Sequence, residues 1–123
     1  MSTLSKKEQH LRLAKSNHRL ATALSEFPTH CDWVATACFY AAIHYLQYDI
    51  NPSETIEHHQ QRERIIRKKY DKTSNTWINY RKLKDRSLNA RYIPNIASAM
   101  SGDKKLAKGT LQLLEDLKKE LNI

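Results

Sequence analysis

The stretch Asp32 to Leu46, DWVATACFYAAIHYL, decides the fold. Wound into a helix, its Trp33, Val34, Ala37, Phe39, Tyr40, Ala41, Ile43 and Leu46 cover most of the circumference. A helix that is apolar nearly all round has to be surrounded by others, so this one is expected at the centre of a bundle. The run is too short to span a membrane and reads as a core helix from near Asp32 to about Tyr48. Thr29 or Asp32 is its expected cap.

Working outward, the preceding segment predicts a helix from about Leu4 to Ser25. Ser5 and Glu8 fit a capping box there, and Leu13, Leu20, Leu24 and Phe27 lie along one face. On the other side, Pro52 in NPSE breaks the central helix, and Ser53 is the expected cap of a charged helix reaching about Tyr70. DKTSN reads as a loop. A basic helix then runs from Thr76 to about Tyr92 and stops before Pro94. PNIASAMSGD reads as irregular. A last helix carries Leu106, Thr110, Leu113, Leu117 and Leu121 on one stripe, with Leu114 beside it. Five helices and no strand predict an all-α, up-and-down helical bundle, one domain over residues 1–123. Two glycines and three prolines leave little of the turn chemistry a many-stranded fold needs.

Hydrophobic residues at 40% and charged residues at 28% suit a single globular core. The N-terminal residues lack the apolar core of a signal peptide, and no apolar run approaches a membrane span, so the expected location is the cytoplasm. Cys31 and Cys38 are then reduced core thiols. The net charge of +8 favours an anionic partner. Half of it lies in residues 81–92, where Arg81, Lys82, Lys84, Arg86 and Arg91 face Asp85 alone.

The basic helix, YRKLKDRSLNARY from Tyr80 to Tyr92, carries the candidate chemistry. At about 100° per residue, Trp77, Tyr80, Leu83, Lys84, Ser87 and Arg91 share one face, and Arg86 points well away from Ser87. A half-buried Arg is costly unless an acid or an anion meets it, so Arg91 requires a partner. Glu54, Glu57 and Asp32 are the candidate acids, and a bound ligand is the alternative. His44, on the most apolar helix, is more often a hydrogen-bonded core residue than a catalyst. His58 and His59 both stand at same-face spacing from Arg62. No HxxxH, HExxH or CxxC pattern, Gly-rich phosphate loop or GxSxG is present, so no metal or cofactor is expected.

Taken in order, DWVATACFYAAIHYL, HHQQRERI and YRKLKDRSLNARY resemble the HEPN superfamily, small all-α proteins of prokaryotic defence and toxin–antitoxin systems. The likeness covers roughly residues 30–120. It implies a dimer in which two protomers combine Arg-polar-…-His motifs into a metal-independent ribonuclease. In that chemistry the His moves a proton and the Arg steadies the phosphate. Here Arg86 matches the leading Arg and Ser87 the polar residue, while Arg91 occupies the His position. A guanidinium does not deprotonate at working pH, so Arg91 binds phosphate but cannot serve as a base.

The resemblance therefore implies a non-catalytic or weakly catalytic homodimer binding RNA, a nucleotide or a partner protein. Arg91, Arg86, Ser87, Tyr80, Lys84 and Arg62 form the expected anion-binding set. One alternative is an active endoribonuclease using His44 or His59. Another is an antitoxin or adaptor whose partner is a nucleotidyltransferase. The aromatic supply of Trp33, Tyr40, Tyr45, Trp77 and Tyr80, more than a small core hides, also points to a dimer.

Overall fold

The computed structural model describes residues 4–52, 56 and 58–123. Its α-helices run in the order α1 (Lys6–Ser25), α2 (Cys31–Ile50), α3 (His59–Lys69), α4 (Asn75–Tyr92), α5 (Pro94–Ser101) and α6 (Lys104–Glu120). No strand occurs among the described residues. As its pattern requires, α2 is the axis, with Val34, Ala37, Cys38, Phe39, Ala41, Ala42, Ile43, Tyr45 and Leu46 all buried. Helices α1, α4, α5 and α6 pack around it. Cys31 and Cys38 are buried free thiols, and burial pushes Cys38 up to about 12, which makes it an inert packing group. No helix among the described residues is long and apolar enough to cross a membrane.

The Ser5 cap forms as expected, its hydroxyl accepting from the Glu8 amide, and the structure adds two more, Ser74 accepting from Trp77 and Asp103 from Leu106. Others differ. Neither Thr29 nor Asp32 caps α2; His30 holds that position in the left-handed region, at φ 68°, with no side-chain bond. Helix α3 starts later than expected, with His58 as its cap, and the expected cap Ser53 lies outside the described residues. The supposedly irregular PNIASAMSGD contains α5, which Pro94 can start because a first-turn residue needs no amide donor.

The largest departure concerns α1. Of the stripe Leu13, Leu20, Leu24 and Phe27, only Leu24 packs against the core; Leu13, Leu20 and Phe27 are 47%, 50% and 55% exposed. Ala14, Ala21 and Ser25 are buried instead. Against an alanine-rich α2, small residues on both sides let the two backbones approach closely, and the leucines flank that seam. The aromatic argument for a dimer also weakens, because Tyr45, Trp77 and Tyr80 are all buried within the single chain. Trp33, Phe27 and Tyr92 remain outside.

Helix α3 stands off from this bundle, touching α2 only slightly. Side chains join it to its neighbours: Ile66 is fully buried, Glu63 reaches α4, and the Tyr70 hydroxyl donates to Asp49 at the end of α2. Long polar side chains therefore fill the space between α3 and the bundle.

Candidate anion-binding site

Helix α4 lays Trp77, Tyr80, Leu83 and Ser87 into the core, and the same face brings Lys84 and Arg91 to a half-buried level. Ser87, with no exposed surface, fixes Arg91: its Oγ accepts from Arg91 Nε at 3.1 Å and its carbonyl from the same atom at 3.4 Å. Arg91 Nη1 donates to Tyr40 Oη at 3.4 Å. The guanidinium carbon lies 5.7 Å from the Tyr40 ring centre, 6.0 Å from Phe39 and 5.0 Å from Tyr92. Aromatic faces thus take the place of a counter-ion for this charge. Of the expected acids, Glu54 and Glu57 lie outside the described residues. Asp32 makes no ion pair with Arg91, nor does any other described carboxylate.

The group at the centre of the site is a second guanidinium, Arg62 of α3. Its Nη1 donates to His59 Nδ1 at 3.0 Å, and its buried Nε has no hydrogen-bond partner. Burial lowers its pKa, against the opposing influence of the Tyr80 and Tyr40 hydroxyls. Both candidate catalytic imidazoles come to this arginine. Burial first, then Arg62, Arg91 and Lys84, hold His59 below the ordinary histidine value. His44 is held down to about 4 by burial, then by His10, then by Arg62.

His44 meets an imidazole from α1. The two Nδ1 atoms of His10 and His44 are 3.0 Å apart, and the rings stack with centres 5.2 Å apart at 28°. One ring must donate and the other accept, so the pair cannot carry protons on both facing nitrogens. Burial, then Lys6, then Arg62 lower His10 as well, and both rings are neutral near pH 7.

The one described carboxylate in the cluster, Glu63, is already engaged. It accepts from Arg81 Nη1 at 2.9 Å and Lys84 Nζ at 2.8 Å. Burial works against its ionisation, but those two cations prevail and hold it below the usual range. A groove of about 500 Å³ continues from Glu63 along α3, lined by Gln60, Arg64, Arg67, Lys68 and Lys72. Arg62, Arg81, Lys84 and Arg91 thus stand against Glu63 alone among the described residues, with neutral imidazoles beside them. Such a half-buried, positively charged cluster suits a phosphate, whose oxygens can accept from two guanidinium edges at once.

Of the expected set, Arg62, Tyr80, Lys84, Ser87, Arg91, His44 and His59 gather here. Arg86 does not, as its direction on the helix implied. Its Nη1 donates to the buried Thr110 of α6 at 2.8 Å, on another side of α4. This removes the residue that the HEPN-type motif would put in the lead. His10 and Tyr40 were missed. His10 continues the line of Ala14, Ala21 and Ser25, so the small-residue seam of α1 carried the signal and the leucine stripe hid it. Comparison with protein-family models, with curated proteins and with solved structures finds no match for this chain.

Proposed function

We propose that this chain is a HEPN-like, homodimeric RNA- or nucleotide-binding domain that takes phosphate groups between α2, α3 and α4, with little or no ribonuclease activity of its own. The observation that carries the reading is the pair Arg62 and Arg91, half-buried together with no carboxylate partner among the described residues. Arg91 at the expected His position, locked by Ser87, supports binding over cleavage, because it has no proton to exchange at working pH. Protein contacts, with a second copy or a partner such as a nucleotidyltransferase, are assigned to the exposed Leu13 and Leu20 of α1 and to Phe27 just beyond its end.

A second reading, an active metal-independent ribonuclease using His44 or His59, draws support from both imidazoles lying beside Arg62, and most from His44. It is a neutral imidazole beside Arg62, and a neutral imidazole can take a proton from a 2′-hydroxyl.

Titration of a fluorescent single-stranded RNA, paired with a cleavage assay, tests both. Binding should weaken by orders of magnitude between about 50 and 200 mM salt, and Arg62→Ala or Arg91→Ala should each lower the salt slope by about one. Salt-independent binding, or none, counts against the proposal. Robust cleavage by the wild type that vanishes in a folded His44→Ala variant moves the conclusion to the second reading.

A further inference from the structure

The edge of the cationic cluster is aromatic and open. Tyr92, the last residue of α4, is 67% exposed and lies against Arg91, whose Nη1 is 3.5 Å from its hydroxyl. One turn back on the same face stands Leu88, and Ile93 and Ile96 follow at the corner into α5, each more than a third exposed. The bundle does not need these side chains, since none of them belongs to the core cluster. Beside the ledge, Arg91 is held through Nε by Ser87 and through Nη1 by Tyr40. A positioned guanidinium and an open aromatic face are therefore neighbours.

We infer that Tyr92, backed by Leu88, is a nucleobase-stacking ledge, so that the ligand of the cluster is single-stranded nucleic acid with its base on Tyr92 and its phosphate on Arg91 and Arg62. This rests on the phosphate-binding reading and narrows its substrate class. The physical reason is the pairing of the two surfaces. A base has a π-face that stacks on tyrosine whatever its identity, and its phosphate sits a few ångströms away, where the guanidinium edges are. A duplex hides its bases and cannot use the ledge. An isolated phosphate, a polyphosphate or an acidic peptide uses only the cations.

Three probes of matched charge separate these cases: a fluorescent ten-residue oligouridylate, an abasic sugar–phosphate strand of the same length, and inorganic polyphosphate. Wild type should bind the oligouridylate most tightly. Tyr92→Leu should weaken oligouridylate binding roughly 5- to 150-fold, the range of one base–aromatic stack. Polyphosphate, which meets Tyr92 only through Arg91, should weaken far less than the oligouridylate, and the salt slope should stay the same. Tyr92→Phe should restore the wild-type preference, and an unchanged circular dichroism spectrum shows that each variant is folded. If abasic and base-bearing strands bind alike, or Tyr92→Leu has no effect, the ledge is overturned while the phosphate site stands, provided Arg62→Ala still weakens all three probes. If none of the probes binds, or if Arg62→Ala leaves them all unaffected, the phosphate site fails and the ledge with it. If Tyr92→Leu weakens every probe equally, Tyr92 acts only by supporting Arg91.

Discussion

Two histidines eight positions apart on α1 reach neighbouring residues of α2, and their surroundings differ in one respect. His18 meets Tyr45 Oη at 2.9 Å through Nδ1 and Glu115 Oε1 at 2.7 Å through Nε2, so a carboxylate from α6 completes the network. His10 meets His44, and the charges that act on the pair are cations, Lys6 on His10 and Arg62 on both rings. The first arrangement is balanced within the chain; burial and the nearby Glu115 push Tyr45 up to about 12, where it stays a neutral hydrogen-bonding group. The second stacks neutral imidazoles beside a guanidinium that no described carboxylate meets. Supplying an acid makes a histidine network a structural joint, and withholding one leaves a place for an anion from outside.

The largest test of this contrast puts the missing acid in place. Arg62→Glu should reduce single-stranded RNA affinity on the order of 100-fold or more at about 50 mM salt, because it removes one phosphate contact and adds a repelling charge. Fluorescence anisotropy reads this directly, and wild-type affinity in the variant breaks the comparison.

Next comes pH. His44 falls from 6.5 to about 4 in the fold, so the unfolded chain binds more protons between those values. Stability is then complete above about pH 6.5 and is lost as pH falls towards 4, by at most about 2 kcal/mol because the group is only partly enclosed. His44→Phe, which can still stack on His10, should flatten the urea-midpoint profile over this window. A profile as steep as that of the wild type would exclude His44 as its source.

A third variant, Leu20→Glu, lies on the outer face of α1 and touches neither histidine network. It should convert a dimer to a monomer by light scattering at tens of micromolar, with RNA affinity for each chain changed by less than about threefold, since a solvated charge on an exposed position costs the fold little. A monomeric wild type removes the dimer from the proposal and leaves the binding site intact.

The smallest effects carry opposite signs. Glu115→Gln should destabilise by less than about 1 kcal/mol, as expected for a partly exposed pair. Arg62→Gln, at low salt and without an anion, should stabilise by a few tenths of a kcal/mol by relieving repulsion among Arg62, Arg91 and Lys84. Equal signs in thermal melts would mean that both ends of α1 are balanced in the same way.

The sequence made some of this readable and concealed the rest for physical reasons. Helix α2 declares itself, since only a central helix can be apolar on every side. The face of α4 is equally plain: Tyr80, Lys84, Ser87 and Arg91 share one direction, and Arg86 another. Helix α1 misleads because its stripe of large residues reads as the buried face, whereas close approach to α2 selects Ala14 and Ala21. That same selection turns His10 inward. The hub Arg62 was visible as a basic residue near two histidines, but its meeting with His44 depends on where α3 lies, and no local pattern sets that. A half-buried guanidinium predicts a carboxylate partner, while Tyr40, Phe39 and Tyr92 fill that role for Arg91 with their rings.

The attachment of α3 through side chains has a consequence for how the molecule opens. A helix joined by backbone packing opens only with its bundle, but one held by Ile66 and by the ion pairs of Glu63 can detach as a unit of its own. Salt screens the Glu63 pairs and leaves the burial of Ile66 untouched, so ionic strength sets how often α3 lifts. Amide hydrogens of α3 should then exchange with solvent well before those of α2, and sooner as salt rises. A phosphate bridging Arg62 to Arg91 would fasten α3 to α4 from outside and slow that exchange, making α3 the segment that registers an occupied site.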